Sequence, residues 1–111
     1  MATTKKTAYL LTRNVVDFDN DEEIPRRVGV YYTKQEANAA KTRDVLTCLK
    51  TEGVTLTKET KQQVIDAFTG KTNRFTIGRF VVTEDEVYYN DDTHIAPAYS
   101  WELETVKVAK K

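Results

Sequence analysis

The chain has 111 residues, and its 17 lysines and arginines balance 17 aspartates and glutamates. This length predicts a single domain, residues 1–111, with a small hydrophobic core. A chain without net charge has no overall field that attracts nucleic acid or anionic lipid, so we expect neither as a partner. The single cysteine, Cys48, excludes an intrachain disulfide and favours a reducing, cytoplasmic location.

The apolar segments of the chain are short. The longest contain four or five residues, which is too few for the core of a signal peptide or for a membrane span. We therefore expect a protein that does not enter the membrane. Release from the cell by a route without a signal peptide is the alternative to a cytoplasmic location.

The N-terminal part of the chain predicts two strands. Residues 1–6 form a polar tail, and residues 7–16 (TAYLLTRNVV) are rich in the β-branched and aromatic side chains typical of strands. The segment Asp17–Arg27 is highly charged and contains a proline, so we expect an exposed loop. Residues 28–32 (VGVYY) predict the second strand. Alternation along it places three side chains on one face: Val28, Val30 and Tyr32.

Two helices are predicted to follow. Thr33 and Glu36 have the spacing of a capping box, in which each side chain satisfies a backbone N–H at the start of a helix. Gly53 is the expected C-terminal stop of this first helix. The second helix is predicted over Lys58–Phe68, with Thr57 as its N-cap.

The C-terminal third predicts three strands. They cover Arg74–Thr83, Val87–Tyr89 and Tyr99–Val108, with turns at Glu84–Asp85 and Asn90–Asp92. The hydrophobic alternation of the first of these strands changes parity at Gly78–Arg79, which predicts a β-bulge or a strong bend.

The resulting order of elements is ββααβββ. Strands that are grouped apart from helices indicate an α+β fold with a mostly antiparallel sheet of four to five strands. The two helices are expected to cover one face of this sheet. The other face must then contact water or another chain.

Three segments resemble ligand-binding motifs but lack residues that the chemistry needs. Asp17–Glu23 resembles the start of a calcium loop, yet Val28 stands where the closing glutamate belongs. Gly70–Thr72 resembles the end of a phosphate-binding loop, yet Ile65 replaces its first glycine. Residues 74–82 (RFTIGRFVV) resemble an RNA-binding strand, but the chain opens with two strands and has no basic excess. We expect no metal and no cofactor.

The only histidine, His94, is a candidate for the rim of a pocket together with Asp92. A zinc site would need cysteines or carboxylates that converge on this histidine. Cys48 is predicted on the inner face of the first helix, where a thiol behaves as a small apolar group. No residue is predicted to be catalytic.

Aromatic side chains are the most informative feature of the sequence. Tyr31–Tyr32 and Tyr88–Tyr89 are adjacent pairs, and consecutive strand residues point to opposite faces of a sheet. Each pair therefore supplies an aromatic ring to both faces. Rings on a helix-free face favour a protein interface or an apolar pocket. The candidate dimer or ligand surface consists of Tyr31, Tyr88, Tyr89, Tyr99, Trp101 and Leu103.

Two segments carry a resemblance to known proteins. GVYYTKQEANAAK (Gly29–Lys41) and SWELETVKV (Ser100–Val108) resemble short uncharacterised proteins of filamentous fungi, in which a Gly-Val-aromatic strand precedes an Ala-Asn-rich helix and a Trp-Glu-Leu-Glu strand closes the domain. The resemblance implies a small dimeric α+β protein. Some small fungal proteins act as elicitors of plant defence, which is one alternative role.

The leading functional hypothesis is a non-enzymatic interaction protein that acts as a homodimer through an aromatic sheet face, with another protein as a possible partner. The alternative is a binder of small apolar ligands, or an enzyme, with a pocket near Trp101 and His94. A third hypothesis is an elicitor that a plant host recognises.

Overall fold

The computed structural model describes residues 5–17, 22–90 and 95–109, and their elements follow the order ββααββββ. The strands are β1 (Lys5–Asp17), β2 (Glu22–Tyr31), β3 (Phe75–Ile77), β4 (Phe80–Thr83), β5 (Glu86–Asn90) and β6 (Ile95–Ala109). The helices are α1 (Lys34–Thr51) and α2 (Lys58–Phe68). The α+β class and the antiparallel sheet are thus confirmed, but the sheet has six strands instead of four or five.

The sheet has the strand order β2-β1-β6-β5-β4-β3, and all neighbouring strands are antiparallel. β1 and β6 are the two longest strands and pair with each other, in unbroken register from Lys5 opposite Ala109 to Val15 opposite Tyr99. β1 therefore begins inside the predicted polar tail. β2 and β3 form the two open edges of the sheet.

The largest correction concerns β2. Glu22–Arg27, predicted to be loop, is the first half of this strand, and Tyr32, predicted to be strand, lies just beyond its end. The proline and the charges misled the prediction because both are tolerated on an edge strand. Leu11 pairs with Gly29 while Thr12 pairs with Arg27, so Val28 is an extra residue at a β-bulge.

This bulge also changes which side chains share a face. Val28 packs against the core together with Tyr31, whereas Val30 lies on the other face. The predicted common face of Val28, Val30 and Tyr32 is therefore wrong. A β-bulge moves every later side chain of the strand to the opposite face. An alternating pattern read from the sequence does not reveal this change.

The parity change at Gly78–Arg79 is a turn between two strands. Ile77 of β3 pairs with Phe80 of β4, and Gly78 has a φ of +58°, a left-handed conformation that glycine adopts readily. The predicted single strand with a bulge is thus a tight hairpin. A bulged strand and a tight hairpin both place Ile77 and Phe80 on the same face. The hydrophobic pattern therefore does not distinguish a bulge from a hairpin.

The helices begin at the expected residues. The Thr33 hydroxyl accepts the N–H of Glu36 at 3.0 Å, and the Thr57 hydroxyl accepts the N–H of Thr60 at 3.1 Å. α1 ends just before Gly53, whose φ of +88° confirms the predicted stop, and the bounds of α2 are those predicted. Neither described helix has the length and apolar character needed to cross a membrane.

Both helices pack onto one face of the sheet and form a single core with it. Leu46 and Leu49 of α1 and Val64 and Phe68 of α2 belong to the same buried cluster. Alternate strand residues complete it: Leu11, Phe80, Val82, Val87 and Trp101. We call this side of the sheet the helix-covered face and the other side the helix-free face.

Candidate functional site

A polar cluster lies between α1 and the centre of the sheet. Alternation along β1 puts Arg13 on the same face as the buried Leu11. On α1, Asp44 lies one turn after Ala40 and one turn before Cys48, both of which are buried, so it shares their face. Two charged side chains are therefore brought together above the sheet.

The Asp44 carboxylate connects three elements. Arg13 Nη1 lies 2.8 Å from each Asp44 oxygen, and the Trp101 indole Nε1 donates to Oδ2 at 2.7 Å. Arg13 and Trp101 face each other across the β1–β6 ladder. Trp101 is only 4% exposed and packs edge-on against Phe68 of α2, with ring centroids 5.1 Å apart. One carboxylate thus attaches α1 to both of the longest strands, β1 and β6.

Cys48 completes this cluster, with its Sγ 3.6 Å from Arg13 Nη1. Burial raises the pKa of the Cys48 thiol to about 11, and the charge of Asp44 adds to this although Arg13 opposes it. Desolvation acts to lower the pKa of Arg13, but Cys48 and Asp44 together raise it. At neutral pH the pair is therefore a neutral thiol beside a charged guanidinium, which is not a nucleophilic site.

A second polar contact holds the end of α1 over β6. The Tyr99 hydroxyl donates to Glu52 Oε1 at 2.5 Å, directly after the last turn of the helix. Burial raises the pKa of Tyr99, and the hydrogen bond to Glu52 and its negative charge raise it further. Tyr99 therefore stays protonated and continues to donate.

A groove of about 460 Å³ begins at Glu52 and runs between the α1–α2 connection and the β3–β4 turn. Its apolar floor is formed by Val54, Ile77 and Phe80. Arg79 and Tyr89 form its polar wall, where Arg79 Nη1 donates to Tyr89 Oη at 3.3 Å. Of the residues predicted to surround an apolar pocket, Tyr89 lies in the wall of this groove, whereas Trp101 does not line it.

A smaller cavity of about 270 Å³ lies between α1 and the β4–β5 turn. Lys41 Nζ lies 2.6 Å from Asp85 Oδ1 at this cavity, and 5.9 Å above the centroid of the Phe68 ring. The lysine is therefore already paired with a carboxylate and an aromatic face. At this cavity Lys41 is therefore not an unpaired cation that could attract an anionic ligand.

The predicted aromatic surface is divided between the two faces. Trp101 belongs to the core, and four half-buried residues pack against that core on the helix-covered face: Tyr31, Tyr89, Tyr99 and Leu103. Only Tyr88 lies on the helix-free face, where its hydroxyl donates to Glu86 Oε2 at 3.1 Å. The expected location of the set was wrong because strand alternation separates two faces without showing which of them the helices cover.

The predicted pocket rim, Asp92 and His94, lies outside the described residues. Within the described part of the chain, no three His, Cys, Asp or Glu side chains are grouped so that they could hold a metal ion. The exposed large hydrophobic side chains there are Val30 and Tyr32, with 44% and 60% of their surface accessible.

Sequence reasoning missed the pairing of Arg13 with Asp44. The sequence contained a signal for this pairing. Arg13 lies two residues after Leu11, on the same face of β1, and Asp44 lies one helical turn from both Ala40 and Cys48. Charged residues at predicted core positions of two elements suggest an ion pair between them.

Comparison with protein-family models gives no match, and neither curated proteins nor solved structures match significantly. The resemblance to short fungal proteins therefore stays a prediction.

Replacing Asp44 with alanine is expected to destabilise the fold by about 2–4 kcal/mol, because Arg13 and the Trp101 indole then lose their common acceptor inside the protein. Urea unfolding followed by tryptophan fluorescence measures this change. Asp44→Asn keeps one carbonyl acceptor and is expected to lose less. Equal losses in the two variants would show that the carboxylate does not act as the shared acceptor.

Stability is expected to fall as the pH rises through the range from about 9 to about 11. There the unfolded chain has lost the Cys48 proton that the folded chain retains, because the folded pKa of the thiol is raised from 9.0 to about 11. Urea unfolding under reducing conditions at about pH 8.5 and about pH 10.5 should show that Cys48→Ala loses about 1–2 kcal/mol less than the parent. An unchanged loss in this variant would contradict the assignment. Tyr99→Phe should also lose less stability than the parent over this range, since the folded Tyr99 pKa is raised as well.

Proposed function

We propose that this chain is a non-enzymatic interaction protein that acts as a homodimer, and that its contact surface is the open edge formed by β2. The length and exposure of this edge carry the proposal. β2 is the outermost strand for 10 residues, none of them fully buried, whereas the opposite edge strand, β3, has 3. The unpaired backbone groups of a long edge strand are a template for another strand.

The side chains at the end of this edge support the proposal. Val30 lies on the helix-free face of β2, and Tyr32 follows directly after the strand. Both are exposed, and large exposed apolar side chains gathered at one place favour a protein contact. The chain carries no net charge, so overall electrostatic repulsion does not oppose the association of two copies.

The state of the reactive groups supports a non-enzymatic role. Cys48 is a protonated thiol at neutral pH, since its pKa is raised to about 11. Asp44 accepts hydrogen bonds from Arg13 and Trp101, which connects helix to sheet. Each of these groups thus has a stabilising partner and faces the interior of the fold.

Light scattering over a micromolar dilution series is expected to give twice the 12.7 kDa mass of the chain. Hydrogen exchange at high protein concentration should protect backbone amides of β2, because pairing removes them from water. β3 is the matched control, since it is also an edge strand but is not in the proposed contact. A single-chain mass at all concentrations would refute the homodimer.

A second candidate function is the binding of a small apolar ligand in the groove beside Tyr89. The observation that favours it is the combination of an apolar floor, Val54, Ile77 and Phe80, with Arg79 in the wall. Apolar pockets with a few polar groups are the usual form of ligand sites. An apolar ligand would place its hydrocarbon part on this floor.

The probe for this candidate is 1-anilinonaphthalene-8-sulfonate, an apolar aromatic anion, whose fluorescence increases in apolar surroundings. We expect saturable binding that Thr55→Trp weakens at least about fivefold, because Thr55 is an exposed residue that lines the groove. Thr76→Trp is the matched control on exposed surface outside the groove lining. Binding that is unsaturable, or equal in both variants, would exclude the groove as the site.

A further inference from the structure

β6 is longer than its neighbour β5, and this difference leaves a step in the sheet. β5 pairs with β6 only between Ile95 and Ser100. One further bond follows, in which the Trp101 N–H donates to the Asp85 carbonyl of the β4–β5 turn at 2.9 Å. From Glu102 onward, no strand of the described chain pairs with this side of β6. The sheet therefore has an open edge in its interior, in addition to its outer edges at β2 and β3.

The backbone of this open segment points into the step. The Trp101 N–H faces the β5 side, where it bonds to Asp85, and backbone groups two residues apart point the same way along a strand. The N–H and C=O groups of Leu103, Thr105 and Lys107 therefore also face the open side and not β1. Such groups at the edge of a sheet are a template for another strand.

Two glutamates make the helix-free side of the step negative. Glu102 and Glu104 are both exposed, and they lie opposite Thr12 and Leu10 of β1. Within the described chain neither glutamate has an ion pair or a side-chain hydrogen bond. The two carboxylates repel each other, and a positive side chain beside them offsets that repulsion.

The helix-covered side of the step offers space for an apolar side chain. Leu103 is half-buried on this side and packs against the core. The cavity of about 270 Å³ between α1 and the β4–β5 turn adjoins the step, because Asp85 both lines this cavity and binds Trp101. Phe68 is part of the cavity lining. An apolar side chain placed opposite Leu103 therefore has apolar neighbours and room beside it.

We propose that the step binds an extended peptide of a partner protein, which adds to β6 as an antiparallel strand in line with β5. Antiparallel pairing matches the other strand pairs of this sheet and gives the more stable ladder. The peptide has a basic side chain opposite Glu104, which also reaches Glu102 diagonally, and an apolar side chain opposite Leu103. Backbone bonds supply affinity, and alternate side chains supply selectivity.

Charge complementarity favours such a peptide over a second copy of this chain. In a two-fold pairing of two β6 strands, residues of the same face lie opposite each other. The described residues of the open segment on the helix-free face are Glu102, Glu104 and Val106, while Lys107 lies on the other face. A second β6 therefore brings none of its described basic side chains opposite the glutamates. The step is separate from β2, so this inference goes beyond the proposed homodimer and does not depend on it.

An NMR titration of the isotope-labelled protein with a synthetic peptide tests this site. The probe is the capped peptide TKTVTKV, whose last valine lies opposite Leu103 and whose second lysine lies opposite Glu104 when it pairs antiparallel to β6. We expect saturable shifts of the backbone amides of residues 103–107 and of Asp85. Shifts that do not saturate, or that are confined to β2 or β3, would overturn the inference. Shifts of the same β6 amides when the protein alone is concentrated would assign the step to a second copy and also overturn it.

N-methylated forms of the probe distinguish strand pairing from general adhesion. N-methylation of the threonine opposite Thr105 removes an N–H that faces β6, so it should raise the dissociation constant about tenfold or more. N-methylation of the valine opposite Val106 is the matched control, because that N–H points away from β6. Equal weakening by the two modifications would exclude a paired strand.

A charge exchange tests the role of Glu104. At low salt, Glu104→Lys should weaken the probe about threefold or more and should strengthen TKTVTEV, the peptide in which glutamate replaces the second lysine. Binding of TKTVTEV also shows that this variant is folded. Glu59→Lys is the matched control, since it makes the same change of charge at an exposed residue of α2. Equal effects of the two substitutions would show attraction to overall charge alone, which would refute the proposed contact.

Discussion

The hydrogen bonds of Asp44 are the interaction on which the rest of the structure depends. A single carboxylate on α1 contacts Arg13 of β1 and the indole of Trp101 on β6, the two longest strands of the sheet. Trp101 in turn packs against Phe68 of α2. The position of both helices over the sheet therefore follows from one partly buried charge whose partners are well placed.

This attachment covers one face of the sheet and leaves an edge open. The helices contribute to the core over the helix-covered face, and β2 is the outermost strand, whose Val28 and Tyr31 still pack against that core. Pro25 and the charges of β2 are features by which edge strands avoid indiscriminate pairing.

The parts of the fold that local chemistry determines were predicted well. α2 has the expected bounds because Thr57 caps its first turn, and α1 ends at Gly53 because that residue adopts a left-handed conformation. Predictions failed where the outcome depends on a distant partner. The segment Glu22–Arg27 becomes a strand because β1 offers a long edge, and no feature within the segment indicates that.

The candidate site shows the same division. By itself the sequence determined the class of fold and the start of each helix. Only the tertiary structure decided that the aromatic set around Trp101 is turned toward the helices and that β2 lies at the edge. The physical reason is that alternation along a strand separates two faces and two edges, while the choice between them belongs to the packing of elements far apart in the chain.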